Sequence, residues 1–161
     1  MQPILKAGAD AKLGLAAEML RSQGTVQVKA WGTSMLPSAW PGDLLTIRGV
    51  TRDEVVEGDI VLVLRDNRFF IHRLVEKLRD EDGISWITRG DAMPHDDPAA
   101  AASEILGRVA GIRRGRRSFV PGRRVPPLHF ALGRMLGRWE RFRNVALRIH
   151  AARLQAGTSH P

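Results

Sequence analysis

The chain has 161 residues, 43% of them hydrophobic, which suits a single domain with a core of its own. It contains no cysteine, which excludes disulfides, thiolate nucleophiles and cysteine-based zinc sites. Its formal net charge of +8 favours an anionic partner such as nucleic acid, anionic lipid or an acidic protein.

Two features of the chain bear on the membrane. No apolar run reaches the roughly 18 residues that span a bilayer, so we expect no transmembrane helix. The N-terminus lacks a basic region followed by an apolar one, so we expect no signal peptide. The expected location is therefore the cytoplasm or the periphery of a membrane.

A short helix is predicted over residues 9–22. Asp10 suits its N-cap and Gly24 suits its end. One face of this helix is apolar and carries Leu13, Ala16, Ala17 and Leu20.

Short strands dominate the middle of the chain. They are apolar or alternating segments separated by turn residues such as Asp66-Asn67 and Asp80 to Gly83, and the strands cover residues 25–31, 44–47, 60–64, 69–78, 84–88 and 104–112. Residues 60–64 are apolar throughout and suit a strand buried on both faces. Gly107 and Gly111 suggest bends or bulges in the last strand. The pattern predicts a compact, mainly β domain of barrel or folded-sheet type.

The C-terminal third is strongly basic. Arginines recur from Arg108 to Arg153, and Glu140 is the only acid among them. Residues 115–127 are rich in Arg, Gly and Pro and are predicted to form a linker. Residues 128–155 are predicted to form an amphipathic helix, followed by a tail over 156–161. The predicted organisation is thus an N-terminal helix (1–24), a β domain (25–114), the linker, the basic helix and the tail.

Two interpretations of the basic helix remain open. Its apolar stripe would pack on the β domain, or it would lie in the plane of an anionic membrane surface with its arginines on the headgroups. Trp139 and Phe142 suit such an interface. Nucleic acid is not an expected partner, because no helix-turn-helix, RNA-recognition or zinc signature accompanies the charge.

Three residue types in chain order suggest covalent chemistry. Ser34 lies in a Gly- and Pro-bounded segment that should form an exposed loop before a strand. His72 lies in a later strand, and Asp91 and Asp97 lie in the loop that follows the strand over 84–88. A serine, a histidine and an acid can act as nucleophile, base and orienter. Each residue alone would more often be an ordinary turn or structural residue.

The supporting roles leave alternatives. Asp97 is our first choice to orient His72, and Asp91 is the second, with bracing of its loop through backbone amides as its other role. His95 competes for the base, although its loop position suggests exposure. The oxyanion donors would be the amide of Ser34, assisted by the hydroxyl of Thr33 or Ser38.

The first two motifs resemble a known family. Residues 32–37 (Gly-Thr-Ser-Met-Leu-Pro) with Gly42-Asp43 resemble the serine box of type I signal peptidases and of their relatives among SOS-type repressors, the S24/S26 superfamily. Residues 58–63 (Gly-Asp-Ile-Val-Leu-Val) resemble the next box.

The later motifs resemble one branch of that family. Bacterial signal peptidases usually carry a lysine base where this chain has Ile71-His72-Arg73, which resembles the archaeal and endoplasmic-reticulum branch with histidine. Residues 88–91 with Asp96-Asp97 resemble the final box of that branch, whose last acid aligns with Asp97. An imidazole with an ordinary pKa of about 6.5 is largely neutral at pH 7, whereas a lysine needs burial to lose its proton.

The resemblance implies a serine endopeptidase of the signal-peptidase type that cleaves a leader or signal segment from a precursor protein or peptide. It implies Ser34 as nucleophile, His72 as base and Asp97, or else Asp91, as orienter, with neither cofactor nor metal. Where signal peptidases carry a transmembrane segment before the serine box, this chain has the short N-terminal helix. The alternative function is a catalytically silent β domain that binds a peptide or an anionic partner.

Overall fold

The computed structural model describes residues 14–51, 53–80, 83–124 and 147–148. In these residues the protein is mainly β, as predicted. A helix over residues 14–21 and a 3-10 turn at Ala102–Glu104 accompany the strands. The strands are β1 (Thr25–Lys29), β2 (Leu44–Gly49), β3 (Ile60–Arg65), β4 (Arg68–Asp80), β5 (Gly83–Arg89), β6 (Ala100–Ala101), β7 (Ile105–Arg114) and β8 (Arg117–Phe119).

All described strands belong to one antiparallel sheet. Its order is β1-β2-β7-β3-β4-β5-β6, and β8 pairs with β7. β7 lies between β2 and β3, although it follows both in sequence. The sheet therefore consists of an early pair, β1-β2, and a later group, β3 to β6, which β7 connects.

The pairing of β7 is irregular near both glycines, as the sequence suggests. Its pairing with β2 shifts register between Thr46 and Ile47, next to Gly111, and its pairing with β3 shifts between Leu62 and Val63, next to Gly107. Bulges of this kind increase local twist. β7 thus pairs with β2 on one side and with β3 on the other, with one register shift in each pairing.

The core lies on both faces of β3. Ile60 and Leu62 belong to one buried cluster with residues of β2 and β7, whereas Val61 and Val63 belong to a second cluster around Trp86. Alternate side chains of a strand point to opposite faces, so a strand that is apolar throughout must be covered on both. The prediction of a doubly buried strand is confirmed.

The described part of the N-terminal helix is built into the first cluster. Ala17 and Leu20, two members of the predicted apolar face, are buried there. The helix packs closely on β2, because a Cβ atom at Gly49 would lie 1.9 Å from the carbonyl oxygen of Leu20. Residues 9–13 of the predicted helix lie outside the described residues.

The end of the β domain differs from the prediction. Residues 117–119, which we assigned to the linker, form β8 and pair with β7, so the strand over 104–112 is not the last one. Alternation does not reveal this strand, since its three residues are all exposed. Apart from Leu147 and Arg148, which are helical, the predicted C-terminal helix lies outside the described residues.

Across the described residues, no helix combines the length and apolarity needed to cross a membrane.

Candidate active site

Ser34 lies in the loop that joins β1 to β2. A short turn over residues 34–38 follows Gly32, whose φ of 79° is in the left-handed region. The amide of Ala92 donates to the carbonyl oxygen of Ser34 at 2.8 Å, and Leu36 packs on Ala92 in a small buried cluster. The loop after β5 therefore holds the Ser34 loop in place.

Gly90 explains how closely these two loops approach. A Cβ atom at this position would lie 2.7 Å from the carbonyl oxygen of Ser34 and 3.0 Å from its Cβ. A larger residue would therefore push the Ser34 loop away. This need for close backbone approach is the physical reason for a glycine before Asp91.

His72 faces Ser34 from β4. Its Nε2 atom lies 3.1 Å from Ser34 Oγ, and its Nδ1 atom lies 2.6 Å from Asp97 Oδ2. Thr88 Oγ1 donates to the same carboxylate oxygen at 2.6 Å, and the amide of Asp97 donates to the Thr88 carbonyl oxygen at 2.8 Å. The structure thus brings Ser34, His72 and Asp97 into one hydrogen-bonded chain.

Electrostatics keep Asp97 in its charged form. Partial burial raises the pKa of this carboxyl, but hydrogen bonds from His72 and Thr88 outweigh it and hold the pKa below its ordinary value of 3.8. A carboxylate at this position accepts a hydrogen bond from Nδ1–H of the imidazole, which fixes the tautomer in which Nε2 carries no proton. That tautomer can accept the hydroxyl proton of Ser34.

Asp91 belongs to a second hydrogen-bond network, with Arg73 and Ser38. Its buried carboxylate accepts two hydrogen bonds of 2.8 Å from Arg73 Nε and Nη2, together with one from the Ser38 hydroxyl. Bracing was predicted through backbone amides, whereas the contacts shown are with side chains. Ser38 was also a candidate oxyanion donor, but in this structure its hydroxyl proton is directed to Asp91.

Arg73 is a site residue that sequence analysis missed. It follows His72 on β4, and consecutive strand residues point to opposite faces, so the guanidinium lies behind the site. Besides Asp91, it donates to the carbonyl oxygens of Gly58 at 2.7 Å and Gly122 at 2.9 Å. Arg73 therefore ties the strand that carries His72 to the loops on either side.

Each of the three Gly-Asp turns buries a carboxylate against arginine. Asp91 pairs with Arg73, Asp43 pairs with Arg114 at 2.7 Å, and Asp59 pairs with Arg123 at 2.7 Å. The repeated Gly-Asp pair was the sequence signal that could have indicated these buried carboxylates. It does not indicate their partner arginines, which are distant in sequence. Arg114 and Arg123 come from the basic run, so part of its charge is neutralised within the domain.

Two remaining candidates lie outside this network. His95 is exposed in the loop after β5. Thr33 is half-buried beside Ser34, where its carbonyl oxygen accepts from the Leu36 amide at 3.2 Å. In the described ranges, no group of three or more His, Asp or Glu side chains is arranged to hold a metal ion.

Two cavities flank His72. The first, of about 310 Å³, is lined by Ser34 and His72 together with apolar side chains that include Trp31, Met35, Phe69 and Phe70. The second, of about 270 Å³, is lined by Val63, Arg65, Phe70, His72, Thr88, Asp97 and Pro98. Phe70 and His72 line both cavities.

The fold defines a class, a mainly β domain of the serine-peptidase type. The family model described as Peptidase S24-like matches residues 3–110, more than half of the chain. The chain belongs to the peptidase S24-like family. A comparison with curated proteins gives no match.

Proposed function

We propose that the protein is a serine endopeptidase of the signal-peptidase type, which cleaves a leader or signal segment from a precursor protein or peptide. The observation that carries this proposal is the hydrogen-bonded chain from Ser34 through His72 to Asp97. An apolar cavity beside Ser34 supports a peptide substrate, because side chains next to a scissile bond need such a site.

The proposed mechanism is acyl transfer. His72 Nε2 takes the proton of Ser34 Oγ as the oxygen attacks the peptide carbonyl carbon, and Asp97 stabilises the imidazolium that forms. The amide of Ser34 is the proposed donor to the developing oxyanion. His72 then gives its proton to the leaving amine, and water hydrolyses the acyl-enzyme by the same route. No step in this sequence needs a cofactor or a metal.

The finer assignment to the signal-peptidase type depends on motif order. The serine box, the following Gly-Asp box, the His72 segment and the final box with Asp97 occur in the order that this group uses. The histidine supports the archaeal and endoplasmic-reticulum branch. We extend the proposal to attachment at an anionic membrane surface through residues 128–155.

The test is loss of the nucleophile. Ser34→Ala should lower peptide cleavage by several orders of magnitude with no loss of folding, because the nucleophile is removed while loop packing remains. Cleavage is measured by mass spectrometry of new termini in a mixture of secretory precursors and small peptide precursors. Ser118→Ala, which alters an exposed serine on β8, is the matched control and should cleave like the parent.

Equal cleavage by the parent and Ser34→Ala would remove Ser34 from the mechanism. If the folded parent cleaves nothing but still binds peptides, the catalytically silent binding domain becomes the better description.

A further inference from the structure

The second cavity lies beside Asp97, on the side of His72 that does not include Ser34, and the mechanism above places no substrate group in it. We infer that it is a substrate subsite for an apolar side chain, so that the bound peptide places one apolar side chain on each side of His72, with Phe70 selecting both. This inference rests on the proposed function, because it assigns the substrate class of the same site.

The chemistry of the cavity walls specifies an apolar occupant. Val63, Phe70 and Pro98 supply carbon surface. The Thr88 hydroxyl and His72 Nδ1 already bond to one oxygen of the Asp97 carboxylate. An apolar side chain entering here gains from burial against the carbon surface, whereas a polar one gives up its water.

The charge of Arg65 does not change this preference. Its guanidinium bonds to both carboxylate oxygens of Glu104, at 3.0 and 3.2 Å, and to the carbonyl oxygens of Pro98 and Ala99. These contacts neutralise the cation and anchor the segment that carries Asp97. The cavity is therefore preformed, which limits the entropy lost on binding.

Phe70 is placed to contact the substrate rather than to stabilise the core. It lies two residues before His72 on β4, so both side chains point to the same face. Its neighbours Phe69 and Ile71 pack against the buried core, whereas Phe70 is 41% exposed and lines both cavities. A side chain with this exposure contributes little to the core and can contact a ligand.

The experiment separates binding from cleavage. The full-length Ser34→Ala protein is used to select binders from a random peptide library, and affinities are then measured by fluorescence anisotropy. Selected peptides should share two apolar positions at a fixed separation. Replacing either position by serine should weaken binding about ten-fold, the effect expected for losing an apolar group from a pocket.

Two variants in the Ser34→Ala background test the role of Phe70. Phe70→Ala should weaken binding of the selected peptides about ten-fold and reduce the penalty for serine at both positions. Leu78→Ala, on the same strand with 39% exposure and outside both cavities, should bind like its parent. Circular dichroism establishes that all variants are folded.

A single apolar position, no selected peptides, or equal effects of Phe70→Ala and Leu78→Ala would overturn the inference. Incubating the selected peptides with the parent protein tests the proposed function separately. Peptides that bind as expected but remain uncut would refute the peptidase while leaving the subsite established.

Discussion

The carboxylate of Asp97 contributes to both folding and the proposed chemistry. Burial raises the pKa of this carboxyl, but hydrogen bonds from His72 and Thr88 lower it by more than burial raises it. The net shift of the pKa is therefore downward. A carboxyl with a lowered folded-state pKa stabilises the protein above its unfolded pKa. That contribution disappears as the pH falls from about 3.8 through the lower folded-state value.

Asp97→Asn should therefore be less stable than the parent at pH 7, with a difference that vanishes on acidification below the folded-state pKa. It should also cut peptides orders of magnitude more slowly, because the amide nitrogen is a donor where imidazole Nδ1 needs an acceptor. Urea unfolding across this pH range measures the first effect, and initial cleavage rates measure the second.

Asp96→Asn is the matched control for Asp97→Asn. Asp96 is the exposed neighbour and pairs with Arg89 at 3.2 Å. Similar losses of stability and rate in both variants would contradict the assignment of Asp97 as orienter.

Arg73 supplies a second test on a single residue of the site. Arg73→Met leaves the buried carboxylate of Asp91 without its two charged hydrogen bonds, and breaking a buried pair from one side costs about 3 kcal/mol or more. The free energy of unfolding should fall accordingly in urea titrations. Arg48→Met, which breaks an exposed pair with Glu54, should change it little. Equal effects would show that Arg73 does not hold the loops together.

Sequence analysis was informative about the residues of the site but not about the residues that hold them in place. The order of Ser34, His72 and Asp97 along the sequence was sufficient to nominate the three residues that the structure joins by hydrogen bonds. The choice between Asp91 and Asp97 required geometry, because both acids lie in the same loop. The partner of Asp91 was missed because an arginine after a histidine in a strand carries no local signal of burial.

Among the elements, the strands with clear apolar patterns were predicted within a few residues. β3 and β5 extend one residue beyond their predicted bounds on at least one side. The reason is that the apolar pattern of a strand is lost where the strand meets a polar turn. β8 was missed because Arg-Gly-Arg-Arg is typical of a linker and its strand residues are exposed. Pairing with β7, a tertiary effect, decides its structure.

The segment after β8 gives a prediction about this element. Gly122 accepts from Arg73, and Arg123 pairs with the buried carboxylate of Asp59. A chain ending at residue 119 loses both contacts, whereas a chain ending at residue 124 keeps them. The shorter chain should unfold at a lower temperature, with a loss of about 1–3 kcal/mol for unsatisfied buried groups.

Thermal unfolding followed by circular dichroism compares the two truncated chains. Equal midpoints would show that residues 120–124 contribute nothing to the stability of the domain.

For the whole molecule, the uneven charge should determine where it binds. Arg114 and Arg123 pair with carboxylates inside the domain, and we assign the proposed attraction to anionic lipid to the arginines of residues 125–161. Each arginine near such a surface contributes on the order of 1 kcal/mol, and salt screens it. The full chain should bind phosphatidylserine vesicles but not neutral vesicles. Its binding should weaken as ionic strength rises.

Vesicle co-sedimentation measures this binding, and the chain ending at residue 124 is the control. That chain should remain folded and stay in the supernatant. Binding that is equally strong without residues 125–161 would place the lipid contact on the β domain.

The position of β7 in the sheet has a consequence for synthesis. Ser34 belongs to the pair β1-β2, whereas His72 and Asp97 belong to the group β3 to β6, and β7 pairs with both sides. A growing chain on the ribosome contains all three residues before β7 has emerged, yet it lacks the strand that joins their two halves. The proposed enzyme should therefore stay inert on the ribosome until residues 105–114 have emerged and close the sheet.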